Sequence, residues 1–109
     1  HHWQNIIGVC HIAYIPGKKV MGLSKFHRIV DYFSRRPQVQ ERLTQQIAKY
    51  LQDKLKTQNV AVVIQAEHFC CKVRGVRDQN SDTITSFVGG EFKKIDVKNE
   101  FQTLIGLKI

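Results

Sequence analysis

The 109 residues, 42% of them hydrophobic, suit one compact domain with a single core, and the formal net charge of +8 points to an anionic partner: nucleic acid, a polyphosphate or an acidic protein. No run approaches the roughly 18 uninterrupted apolar residues that a membrane span needs, and no charged-then-apolar signal segment opens the chain, so a soluble cytoplasmic protein with no membrane partner is expected. Cys10, Cys70 and Cys71 cannot all pair within one molecule, and neighbours on a strand point apart, so reduced thiols are expected in place of a disulfide framework.

Residues 6–15 are apolar and rich in β-branched side chains, Pro16-Gly17-Lys18 reads as a turn, and residues 20–23 resume the apolar pattern, which together predict a β-hairpin. At Ser24 the period changes: Phe26, Ile29, Val30 and Phe33 take the spacing of one helix face, with Ser24 placed as the N-cap. Lys25 and Arg28 lie near that N-terminus, where free backbone N–H groups and the helix dipole favour an anion. A phosphate seat and an ordinary solvated basic edge fit this spacing equally well. Pro37 interrupts the pattern, and a second helix is predicted over residues 37–56, with Val39, Leu43, Ile47, Tyr50, Leu51 and Leu55 as its buried stripe. Gln40 and Glu41 fall in its first turn, where a carboxylate is favourable simply as a dipole partner.

Residues 60–75 read as a strand that places Val60, Val62, Ile64, Ala66, His68, Cys70, Lys72 and Arg74 on one side. That side changes from apolar to reactive halfway along: an imidazole, a thiol and a guanidinium could supply a proton donor, a soft metal ligand and an anion clamp to one pocket. The plainer alternative is a strand that leaves the core and runs into solvent. A polar connection over residues 75–81, an alternating stretch over 83–92 that reads as a returning strand until Gly89-Gly90, and a helix over about 97–107, with Val97, Phe101, Leu104 and Ile105 on one face, complete the chain. The order β-β-α-α-β-β-α argues for an α+β fold with an antiparallel sheet. Aromatic platforms set among basic residues are missing from the sequence, so a discrete phosphorylated small molecule is favoured over nucleic acid.

The segments Gly22-Leu23-Ser24-Lys25, Arg28-Ile29-Val30, the run from Arg35 through Pro37-Gln38-Val39-Gln40-Glu41-Arg42-Leu43 to Thr44, and His68-Phe69-Cys70 with Arg74-Gly75 strongly resemble GTP cyclohydrolase I; His1-His2 resemble the second half of that family's Cys-Glu-His-His motif. The resemblance covers nearly the whole chain. It implies the tunnelling fold, a ββααββ antiparallel sheet with two long helices on one face plus a short C-terminal helix, assembled as a homodecamer of two pentameric rings with active sites at subunit interfaces. The implied reaction opens the imidazole ring of GTP hydrolytically, releases formate, rearranges the ribose and closes a pterin ring, giving dihydroneopterin triphosphate for folate or tetrahydrobiopterin synthesis.

Carried over by position, the resemblance makes His2 and Cys70 zinc ligands, and zinc accepts imidazole and thiolate together while acidifying a water in its open position. His1 and His68 take the catalytic proton-transfer positions, suited to work near pH 7. Ser24, Lys25, Arg28 and Arg74 match residues around the triphosphate, and Glu41, with Gln40 beside it, matches the guanine anchor. The family motif carries Cys and Glu immediately before the two histidines, whereas this chain begins at His1. The expectation is therefore a single catalytic domain over residues 1–109, lacking the N-terminal helical region and one zinc ligand of the family. The alternative is a non-catalytic fragment or paralogue that binds a purine or pterin triphosphate, or assembles with partner subunits. Cys71 is expected to pack as a small apolar side chain, and His11 and His27 to be structural or exposed.

Overall fold

The computed structural model describes residues 6–35, 38–68 and 82–109. Its elements are strand β1 (Ile6–Tyr14), helix α1 (Leu23–Ser34), helix α2 (Gln40–Leu55), strand β2 (Val60–His68), strand β3 (Asp82–Val88), a 3-10 turn (Gly90–Lys93) and helix α3 (Ile95–Ile105). The three strands form one antiparallel sheet in the order β1-β2-β3. This is an α+β architecture, consistent with the tunnelling fold.

The central strand explains itself from sequence. Val60, Val62, Ile64 and Ala66 point to one face and pack with Ile29, Ile47, Ala48, Leu51 and Leu55 of the two long helices. Ala61 and Val63 point to the other and meet Phe92 and Phe101, whose rings lie edge to face at 5.8 Å. A strand covered on both faces needs an apolar run, and the sequence over residues 60–64 is one. Helix α2 is the main cover: Ile47, Leu51 and Leu55 are fully buried, each contributing on the order of 1.5–3 kcal/mol.

The expected hairpin is not formed. β1 pairs along its whole length with β2, from Ile6 opposite His68 to Tyr14 opposite Val60, and residues 20–22 are not a strand. The backbone N–H of Ile15 donates to the Asn59 carbonyl at 3.0 Å, extending the ladder by one step, and Pro16 has no N–H to continue it. Of the apolar side chains over residues 20–23, Met21 packs on the core at the entry to α1, while Val20 and Leu23 are exposed.

Several boundaries also move. The cap of α1 is Gly22, held extended at φ −69°, ψ 152°, so Ser24 is the second helical residue and caps nothing. Helix α2 starts at Gln40, with Val39 as its cap and exposed, not on the buried stripe; Pro37 lies outside the described residues. Thr44 and Ala48 join that stripe where only larger side chains were expected. The returning strand ends at Val88 because Gly89 and Gly90 turn the chain into the 3-10 segment, and α3 begins at Ile95 with Leu104 exposed while Phe101 carries its packing.

Candidate functional site at two helix N-termini

The start of α1 presents Ser24, Lys25 and Arg28 to solvent. Ser24 and Arg28 are four apart and so stand one above the other on the helix, with Lys25 beside them. None of the three side chains makes a hydrogen bond or ion pair among the described residues. The inward side of the same turn is fixed by Phe26, whose ring packs on Tyr14 at 5.4 Å. A hydroxyl, two cations and the first free N–H groups of a helix can hold a phosphate chain.

The start of α2 is built differently. Glu41 is exposed, in the first turn, with no partner among the described residues. Gln40 beside it turns inward: its Nε2 donates to the carbonyls of Ile64 and Thr83, both at 3.0 Å, and to Thr85 Oγ1 at 3.2 Å. Two carbonyls on one side fix the amide with its nitrogen toward the sheet. Oε1 is buried with no partner among the described residues. Thr44, 1% exposed, lies one turn on; its hydroxyl donates to the Gln40 carbonyl at 2.9 Å and touches Thr85 Oγ1 at 2.7 Å. The sequence pointed to Gln40 and Glu41 but missed Thr44 and Thr85. The available signal was a threonine on the apolar stripe of α2, four residues after Gln40.

The two N-termini do not converge. Phe26 anchors the start of α1 against Tyr14, which pairs with Val60, whereas Gln40 anchors the start of α2 on Ile64. Four strand residues separate those anchors, about 13 Å. His68 closes the same strand on the side of Gln40, away from Val60. His1, His2, Cys70 and Arg74 lie outside the described residues, as do Cys71 and Lys72. Ile6 pairs with His68 at the end of the β1–β2 ladder.

Between β1 and α1 runs a groove of about 620 Å³ lined by Cys10, Ile12, Tyr14, Phe26, His27 and Val30 among others. Burial pushes the Cys10 thiol up to about 11, so it is protonated and unreactive at neutral pH. His11 is half-buried and His27 exposed.

Residues 1–106 match the sequence family described as GTP cyclohydrolase I. The chain belongs to the GTP cyclohydrolase I family. It is 57% identical over 109 residues to GTP cyclohydrolase 1 of Aeromonas hydrophila, covering 99% of this chain and 49% of that protein. It is 52% identical over 107 residues to GTP cyclohydrolase 1 of Flavobacterium johnsoniae, covering 98% of this chain and 48% of that protein. The chain thus spans about half the length of the curated relatives it matches. Within the GTP cyclohydrolase I family frame, the zinc expectation rests on one imidazole and one thiolate, donors that suit zinc in kind but are two of the four a tetrahedral site takes. Among the described residues no cluster of three or more His, Cys, Asp or Glu could hold a metal.

Proposed function

We propose that the protein carrying these residues is a zinc-dependent GTP cyclohydrolase I, converting GTP and water to formate and dihydroneopterin triphosphate. The observation that supports this reading most is the pair of helix N-termini: the family match falls on a chain whose Ser24, Lys25 and Glu41 in first turns, and Arg28 one turn beyond Ser24, stand exposed with no partner among the described residues. The family match, not exposure alone, singles these four out, since most surface lysines, arginines and glutamates are solvated too.

In this reading Glu41 accepts hydrogen bonds from the N–H groups of the guanine base and sets its orientation. Ser24, Lys25, Arg28 and, from outside the described residues, Arg74 hold the triphosphate, which fixes the distal end of the substrate. His68 and His1 move protons to and from the ring nitrogens as the imidazole ring opens and formate leaves. His2 and Cys70, with a further ligand, would hold zinc, which when bound would acidify a water at neutral pH. The separation of the two N-termini along the sheet favours a site shared between copies of the chain, the phosphate seat of one facing the base anchor of another. A cytoplasmic homodecamer of two rings is the assembly that goes with this arrangement.

Zinc content and formate release from GTP, measured on the 109-residue chain and on the same chain extended by Cys-Glu before His1, test the proposal. The expected result is weak zinc retention and little formate from the shorter chain, with both raised by the extension. Strong activity from the shorter chain would overturn the ligand assignment.

A further inference from the structure

One arrangement of protons satisfies the side-chain contacts between α2 and β3 all at once. Each threonine hydroxyl has a single hydrogen. That of Thr44 goes to the Gln40 carbonyl at 2.9 Å, so in the 2.7 Å contact between the hydroxyls Thr85 is the donor. Thr85 Oγ1 is then left to accept from Gln40 Nε2 at 3.2 Å. The bonds close a ring: Gln40 amide to Thr85, Thr85 to Thr44, Thr44 to the Gln40 carbonyl. The second Nε2 hydrogen is held by the carbonyls of Ile64 and Thr83, which ties the ring to two strands.

The Gln40 carbonyl belongs to the peptide group that joins Gln40 to Glu41. A ring that fixes this peptide plane fixes the Cα of Glu41 and the direction in which its side chain leaves the helix. Apolar packing would cover the sheet at Thr44 and Thr85 equally well, and a polar cluster there is tolerable only because almost every group in it is satisfied. What the polar arrangement adds over apolar packing is orientation.

We propose that Thr85 is a positioning residue for guanine recognition: through Thr44 and Gln40 it fixes the Gln40–Glu41 peptide and so aims the Glu41 carboxylate at the edge of a base that carries both a ring N–H and an exocyclic amine. This rests on the guanine-nucleotide reading given above. A carboxylate aimed at two neighbouring donors distinguishes GTP from inosine triphosphate, which lacks the amine, and a carboxylate free to swing distinguishes them less.

Equilibrium binding of GTP and of inosine triphosphate to the full-length protein carrying these residues, as wild type, Thr85→Val and Thr85→Ser, tests the assignment. Thr85→Val is expected to weaken GTP binding about tenfold and inosine triphosphate binding less, narrowing the ratio of the two by about three- to tenfold. Thr85→Ser keeps the hydroxyl and is expected to hold the wild-type ratio within about twofold. A variant that is merely less stable lowers the binding-competent fraction for both nucleotides alike and leaves the ratio unchanged. Should Thr85→Val not fold, Thr44→Val breaks the same ring from the helix side and is expected to narrow the ratio likewise. An unchanged ratio in the folded valine variant, with wild type discriminating normally, overturns the positioning role alone. A wild-type protein that does not prefer GTP overturns the guanine reading beneath it.

Discussion

Cys10 and Glu41 mark the two kinds of residue this chain contains. The Cys10 thiol, raised to about 11 by burial between β1 and α1, stays protonated in the folded state while the unfolded chain ionises near 9. Stability from this source is therefore intact below pH 9 and lost as pH rises toward 11, by about 2–3 kcal/mol in all. Denaturant titrations at pH 8 and pH 11 on wild type and Cys10→Ala should show the alkaline loss reduced by that amount in the variant; equal losses would mean the thiol is solvated. Glu41 is the opposite case, exposed and unpaired among the described residues. Glu41→Gln should cost under about 1 kcal/mol of stability, the value of a dipole partner, yet weaken GTP binding at least tenfold or so, since a hydrogen bond to a charged group is removed. Calorimetric unfolding alongside nucleotide titration checks both. That Glu41, Ser24, Lys25 and Arg28 are candidates for ligand binding was legible because they are residue types at motif spacing; the roles given them are the proposal above. The role of Gln40 was not: its partners are 24 to 45 positions away, and no local pattern in a sequence says which carbonyls a side-chain amide will meet.

At the scale of elements, legibility followed how local the determining contacts are. The helical stripes and the two-faced strand β2 could be read because periodicity reports burial directly. The hairpin misled because β1 and its true partner are separated by both long helices, and a nearby apolar segment with a Pro-Gly turn looks like a partner whenever non-local pairing is invisible. The ends of elements carry their own predictions. Helix α2 terminates at Lys56 in the left-handed conformation, φ 53° and ψ 44°, where a β-carbon is unfavourable. Lys56→Gly should stabilise the fold by about 0.5–1 kcal/mol in thermal or denaturant unfolding, the relief of strain being offset in part by the freer unfolded chain. At the end of β3, Gly90 has φ +56° and an added β-carbon would meet Asn59 Oδ1, the atom that accepts the Glu91 backbone N–H at 2.9 Å. Gly90→Ala should destabilise by at least about 2 kcal/mol, combining left-handed strain with loss of that bond. A change below half of that would show that the turn relaxes freely.

For the whole molecule, a sheet covered on one face by α1 and α2 and on the other by α3 carries, among the described residues, the candidate ligand-binding side chains Ser24, Lys25, Arg28 and Glu41 near helix starts. The net charge of +8 includes Lys25 and Arg28 at the start of α1, the cations that the proposed phosphate seat would use. The central claim is that these residues bind and hydrolyse a guanine nucleotide. Formate released per mole of full-length protein, with GTP and with ATP at equal concentration, tests it most directly. The account predicts stoichiometric or greater formate from GTP, little from ATP, and loss of the GTP signal in a folded Glu41→Gln variant. Formate from both nucleotides alike, or from GTP in the variant at the wild-type rate, would contradict it.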